Sequence, residues 1–261
     1  MKRVLITGVD SYIGDKVRTY LENYSYEYQV DDLDMRDDSW QTFDYSSYDV
    51  IYHVAAIVHR NENDTDPDLY FKVNRDLAYN VAKTAKKSGV GQFIFMSSMS
   101  VYGMIYSNEA IGLNTKCNPD TNYGKSKLEA EKLLLSLDDN KFRVCVLRPP
   151  MVLGDGAPGN MEKLIKAVNI VKIFPNYCNE RSYITVDTLS AFIERLIDEE
   201  SSGVFLPQEH EYLCTYNFIK DYMKKLGVNV HYTKLFNPII KFLVGRINTV
   251  SKCFGDLKYE K

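Results

Sequence analysis

The chain has 261 residues, 45% of them hydrophobic and 26% charged, which is the composition of an ordinary globular protein with room for one large domain and a smaller appendage. Its formal net charge of -3, with no run of Lys and Arg longer than two, gives no electrostatic ground for a nucleic-acid or anionic-membrane partner. No segment approaches the ~18 consecutive apolar residues of a membrane span, and the short apolar run after "MKR" falls well short of a secretory signal. Cys117, Cys145, Cys178, Cys214 and Cys253 are dispersed without a CxxC pair, so the expectation is a cytoplasmic protein with neither a disulfide frame nor a metal site.

Taken in chain order, "RVLIT" (3–7) reads as a strand, 12–24 as a helix, "VIYHVAA" (50–56) as a strand and 67–88 as a helix. "QFIFMSS" (92–98) is a further strand, 122–137 a helix and "FRVCVLRP" (142–149) another strand. These strands are apolar without clean alternation, as strands covered on both faces are. The repetition specifies an α/β fold, a parallel sheet with helices on both sides. "RPPMVLGDGAPGN" then reads as a loop leaving the sheet. A helix at 161–169, a strand "SYITV", a helix at 188–199, a strand "GVFLP", a helix at 215–226 and a helical tail follow. Residues 1–150, with about 183–200, form the expected main domain, and about 151–182 and 203–261 a small C-terminal lobe.

"ITGVDSYIG" joins the first strand to the first helix. Such a turn aims backbone N–H groups and a helix N-terminus at a pyrophosphate. Gly8 permits the tight turn and Gly14 close packing of the helix on the sheet, while Ser11 stands where a middle glycine would allow the closest approach. The stretch alone fits both a phosphate cradle and a plain strand-to-helix turn. Of the acidic residues roughly 20 positions on, Asp31, Asp32 and Asp34 are candidates for the ribose hydroxyls, and Arg36 beside them keeps NADP open alongside NAD.

A Tyr-x-x-x-Lys pair sets a phenol and an ammonium one helical turn apart. A positive charge ~6 Å away, at an effective dielectric of ~20, favours the phenolate by roughly 3 kcal/mol, about two pKa units, bringing a tyrosine towards its working range as acid and base. Tyr12/Lys16, Tyr123/Lys127 and Tyr216/Lys220 all have the spacing. Only Tyr123 opens a helix after a strand that ends in Ser97 and Ser98, and ligands of parallel sheets bind at the carboxyl ends of strands.

With "TGVDSYIG", "VIYHVAA", "FIFMSSMSVYG", "YGKSK", "VLRPP" and "RSYITVDTL" in this order over residues 1 to about 190, the chain resembles an extended short-chain dehydrogenase/reductase of the NAD-dependent nucleotide-sugar epimerase/dehydratase family. The resemblance implies a Rossmann-like doubly wound sheet with a small substrate lobe, and a homodimer paired through the helices at 67–88 and 122–137. It implies Tyr123 as acid/base, Lys127 holding the nicotinamide ribose and lowering the tyrosine's pKa, and Ser98 bonding the reacting oxygen. Gly8, Ser11, Tyr12, Ile13, Gly14, Asp34, Met35, Ala55, Ala56, Asn74, Ser97, Pro149 and Met151 fall on its cofactor side. Arg181 resembles the arginine that grips the diphosphate of a nucleotide sugar, and Asn160 is placed to touch the same group. His53, inside an apolar strand, reads as a core histidine.

The departures narrow the function. The stretch between the first helix and "VIYHVAA" is short, as if one strand-helix step were trimmed, and "DMRD" (34–37) resembles the family's adenine-contacting stretch. Family 4,6-dehydratases carry Asp-Glu just after the catalytic serine or threonine, where this chain has Met99 and Ser100. What remains is a nucleotide-sugar 4-epimerase with NAD, a 4-keto-sugar reductase with exchanging NAD(P)H, or a non-catalytic NAD-binding protein.

Overall fold

The computed structural model describes residues 1–58 and 66–261. Its centre is a sheet of β1 (Lys2–Thr7), β2 (Tyr28–Leu33), β3 (Val50–His53), β4 (Gln92–Met96), β5 (Arg143–Leu147) and, at the far edge, Gly203–Phe205. All pairings are parallel, in the order β2-β1-β3-β4-β5 and then the edge strand. Successive side chains of a strand face opposite ways. Val4, Ile6, Tyr52, Ile94 and Leu147 therefore join one buried cluster, and Leu5, Ile51, Phe93, Phe95 and Val146 the other. The first cluster is closed by α1 (Tyr12–Glu22) and Val186–Asp198; the second by the helices over 67–87 and 122–135.

The helix expected at 67–88 is α2 (Pro67–Phe71), one π turn (Lys72–Leu77) and α3 (Ala78–Lys87), and α4 is Asn122–Leu135. Hydroxyl caps start the helices that matter most: Ser11 for α1 and Thr121, accepting from Gly124 N at 3.0–3.1 Å as Ser11 does from Gly14 N. β6 (Met151–Leu153), α5 (Asn160–Val171), β7 (Ile173–Pro175), β8 (Tyr183–Thr185), α6 (Val186–Asp198), β9 (Gly203–Phe205), α7 (Thr215–Lys225), β10 (His231–Thr233), α8 (Asn237–Leu243) and α9 (Asn248–Phe254) complete the chain.

Four readings are corrected. "YQVDDL" is strand β2, whose carboxylates are satisfied by Arg3 and Tyr48 on Asp31 and by Arg18 on Asp32 (2.5 Å). What is trimmed is the crossover to β3, reduced to a 3₁₀ turn at Asp38–Gln41. Gly203–Phe205 belongs to the main sheet, with Cys145 opposite Gly203, instead of the C-terminal lobe. Met151–Leu153, inside the expected loop, is a short strand.

The chain divides into two compact units: Met1–Gly103, Leu113–Gly154 and Ile184–Pro207; and Met104–Gly112, Asp155–Tyr183 and Gln208–Lys261. Residues 104–112, expected with the sheet, thus fall in the second unit. That unit has its own core of Val168, Phe174, Ile219 and Met223, built from α5, β7 and α7. Among the described residues no helix is long and apolar enough to cross a membrane.

Candidate active site

The strand order reverses between β1 and β3, the switch point at which doubly wound sheets bind ligands. Gly8 follows β1 there with φ 112°, and a Cβ on it would meet Ala55 N at 2.9 Å and Ala55 Cα at 3.0 Å. A side chain is excluded by both conformation and space, so the backbone lies open beside the N-terminus of α1. Gly14 is equally confined: a Cβ would reach Ser11 Oγ at 2.4 Å and Val54 at 3.1 Å. Ser11 is turned back to cap its own helix, yet its hydroxyl proton stays available for an anion. This cradle fits a dinucleotide pyrophosphate.

Ile13 packs on the first core cluster, and the Tyr12 hydroxyl lies against Gly154. Ala55 N bonds Thr7 O at 2.9 Å, and Ala56 is half-buried just beyond. Asp34 and Met35 directly follow β2, whose Leu33 O accepts from Gly8 N at 3.0 Å, so "DMRD" stands beside the glycine turn. Asp34 holds Arg36 at 2.6 Å, and Asp10, in the left-handed region at φ 63°, reaches the same guanidinium at 3.2 Å. The Arg36 bonds keep the Asp34 carboxyl below its ordinary range.

Past β4, Ser98 Oγ caps a 3₁₀ turn (Met99–Tyr102) by accepting from Ser100 N, donates to Ser100 Oγ at 3.1 Å, and hydrogen-bonds Tyr123. Gly124 makes this possible: a Cβ there would meet Ser100 O at 2.7 Å and Pro119 Cβ at 2.8 Å, so α4 docks on the turn only through a glycine. Met99 N bonds Pro149 O at 2.9 Å, bringing the Pro149–Met151 segment to the same strand ends. Asn74, fully buried in the π turn, exchanges bonds with Ile57 N and O and donates to Ser126 Oγ, which donates to Tyr123 O at 2.9 Å. One asparagine thus ties the segment after β3 to the turn that carries the tyrosine, and π turns of this sort cluster at functional sites.

Of the three Tyr-x-x-x-Lys pairs only Tyr123/Lys127 has its lysine buried, below a half-buried tyrosine; Lys16 and Lys220 are exposed. Lys127 is 1% exposed, donates to Met96 O at 2.7 Å and lies 4.5 Å from the Phe95 ring centroid. The expected depression of the phenol is reversed: burial pushes Tyr123 up to about 12, with the Ser98 bond pulling it back. Burial also lowers Lys127 to about 7, against the pull of Glu131, so the ammonium itself is weakened and desolvation outweighs the charge effect. His53 bonds Thr7 Oγ1 through Nδ1 at 2.7 Å, and burial followed by Lys127 lowers it to about 3, a neutral core residue.

Beneath the tyrosine lies a network that the sequence reading passed over. Glu131 is 1% exposed and takes three bonds from Arg148 (Nη2 to Oε2, 2.6 Å) and one from Ser97 Oγ. Arg148 Nη1 donates to Tyr102 OH at 3.0 Å. The available signal was Glu131 one turn beyond Lys127 on the same helix, with an arginine ending an otherwise apolar strand in "VLRPP". Ser97 is therefore an anchor of α4 to β4.

Arg181 and Asn160 lie in the second unit. Asn160 is exposed at the start of α5. Arg181 donates to Gly255 O at 2.8 Å, and burial lowers its pKa; among the described residues no carboxylate pairs with it.

A phosphate cradle at a switch point, with a half-buried serine–tyrosine pair over a buried lysine one strand away, defines an enzyme site of the nicotinamide-dinucleotide class. The model of the NAD dependent epimerase/dehydratase family matches residues 4–204, and the chain belongs to that family. A UDP-glucose 4-epimerase of Vibrio cholerae is 30% identical over 230 residues, covering 81% of this chain and 68% of the relative. The N-acetyl-alpha-D-glucosaminyl-diphospho-ditrans,octacis-undecaprenol 4-epimerase of Escherichia coli O157:H7 is 27% identical over 184 residues, covering 63% of this chain and 53% of that one. The chain thus spans only part of these relatives. Among solved structures, RMD from Pseudomonas aeruginosa complexed with NADPH has a TM-score of 0.74 at 20% identity, covering 89% of this chain and 86% of that one.

Proposed function

We propose that this chain is a nucleotide-sugar 4-epimerase that uses NAD, with Tyr123 as acid and base. The observation that carries the reading is the Ser98–Tyr123 hydrogen bond, held one helical turn from Lys127 and across the switch point from the Gly8 cradle. The named 4-epimerases among the relatives support it. Met99 is buried and Ser100 takes the Ser98 hydrogen bond, which leaves no carboxylate pair for dehydration.

The backbone at Gly8, the N-terminus of α1 and Ser11 would hold the pyrophosphate, Asp34 and Met35 the adenine end, and Ala55, Ala56, Pro149 and Met151 the cofactor's flanks. Lys127 would hold the nicotinamide ribose. The bound cofactor supplies a reversible hydride acceptor and a positive charge. Ser98 fixes the C4 oxygen beside the phenol, and Tyr123 removes the C4 hydroxyl proton and returns it once the sugar has presented its other face. The high proton affinity of the buried phenol suits the return step, and added positive charge in the pocket favours the removal step. Arg181, which pairs with no carboxylate among the described residues, would take the sugar's diphosphate, and Asn160 would touch the same group. Arg36 is committed to Asp10 and Asp34, which leaves it poorly placed for the extra phosphate of NADP and favours NAD. The α2–α3 and α4 faces would pair in a homodimer.

A 4-keto-sugar reductase would use the same residues, and solved structures of dTDP-4-dehydrorhamnose reductases share the fold at 21% identity. The two are separated by cofactor stoichiometry. The epimerase reading predicts copurifying NAD and interconversion of UDP-, GDP- or dTDP-hexoses with no cofactor added. Consumption of one NAD(P)H per turnover, with no interconversion, overturns it.

A further inference from the structure

The second unit turns a band of large apolar side chains to solvent. In α8, Ile240 is buried while Ile239 and Phe242 are 58% and 62% exposed, and Leu235 just ahead is 77% exposed. Ile239 and Phe242 are three residues apart on one face of α8, with Leu235 in the turn before the helix and Arg246 in the turn after it. A helix apolar on both sides is normally covered on both sides.

A second exposed apolar run belongs to the same unit. β10 pairs with β7, His231 opposite Ile173; His231 N donates to Lys172 O, and Asn237 Nδ2 to Asn176 O. Ile170, Val171 and Ile173, exposed by 80%, 63% and 45%, lie at the His231 end of this strand pair, and the α8 segment follows its Thr233 end. Lys172 between them adopts φ 58°, a left-handed conformation that residues with a Cβ rarely take.

The charges in this band have one sign. Lys172, Lys234, Lys241, Arg246 and Lys252 are all exposed, and residues 228–255 contain no Asp or Glu in a chain whose net charge is -3. Among the described residues none of these cations forms an ion pair, while Lys166 and Lys258 of the same unit do. Arg246 stacks on the Phe242 ring at 4.4 Å.

We propose that this face docks on an anionic phospholipid surface, with Leu235, Ile239 and Phe242 entering the boundary between headgroups and acyl chains and the cations meeting the phosphates. Apolar residues set among lysine and arginine are what such an interface selects. A second copy of the chain would bring cations against cations, which like-charge repulsion opposes. Whole-chain charge conceals the feature, because the acidic residues lie elsewhere. None of the residues proposed for catalysis lies in the band, so the inference stands apart from the epimerase reading.

The test is co-sedimentation of the full chain with vesicles of phosphatidylcholine alone and of phosphatidylcholine mixed with phosphatidylglycerol. Binding is expected only to the mixed vesicles, weakening in high salt, and falling on the order of tenfold in Lys241→Glu/Arg246→Glu and in Ile239→Asp/Phe242→Asp. Both variants should keep wild-type circular dichroism and melting temperature. Absence of binding to the mixed vesicles overturns the proposal, as does undiminished binding by the folded double variants. Light scattering that shows a dimer lost in Ile239→Asp/Phe242→Asp would assign the face to a second copy instead.

Discussion

In the first unit Lys127, Glu131 and Arg148 are charged residues with 1%, 1% and 7% exposure, whereas in the second Ile239 and Phe242 are apolar residues with 58% and 62%. Each placement opposes the ordinary sorting of residues, and each costs free energy unless something offsets it. In the first unit the offset is internal: Arg148 and Ser97 satisfy Glu131, and Met96 O and the Phe95 ring receive Lys127. In the second, nothing within the described chain covers the side chains. The contrast separates a preorganised reaction site from a surface shaped for something outside the molecule.

The largest expected effect on stability is at the most enclosed pair. Glu131→Ala leaves Arg148 buried without its partner and should cost about 3–5 kcal/mol in denaturant unfolding; a cost below about 1 kcal/mol would show the network to be ornamental. Lys127→Met should instead leave stability equal or higher, because it removes a buried charge, while turnover falls by roughly 10²–10⁴. The sign follows from the proton count. Between about pH 7 and the ordinary 10.5 the native lysine binds fewer protons than the unfolded one, so native stability rises with pH across that window. Above pH 10 the raised Tyr123 works the other way. Urea titrations across pH 7–10 should show this rise in the native sequence and not in Lys127→Met. Gly124→Ala comes next, at about 1–3 kcal/mol for the forced contact with Ser100 O, with turnover falling by more than that loss predicts because Tyr123 moves away from Ser98. In the second unit Phe242→Asp should change melting stability by no more than about 0.5 kcal/mol; a larger loss would mean that the exposed band supports the fold.

How much could be read beforehand follows the same division. The strands and helices of the first unit were legible because two-sided burial makes β1, β3, β4 and β5 apolar throughout and because Ser98, Tyr123 and Lys127 stand at fixed places on that frame. β2 was not, since Asp31 and Asp32 look like a solvated turn until Arg3, Tyr48 and Arg18 are seen to meet them. β9 was legible as a strand in "GVFLP", but three residues beginning with a glycine carry no sign of which sheet they join. The Tyr123 proton affinity was misjudged because charge spacing can be read along a helix and desolvation cannot. Glu131 and Arg148 drew no reading for the same reason. In the second unit apolar periodicity marked the helices but not which apolar residues face inward.

The most direct test of the account is Tyr123→Phe, measured for turnover on a panel of nucleotide hexoses together with bound NAD by mass and melting temperature. The account predicts unchanged folding, retained NAD and turnover lower by roughly 10²–10⁴. Undiminished turnover in the folded, NAD-loaded variant would contradict it.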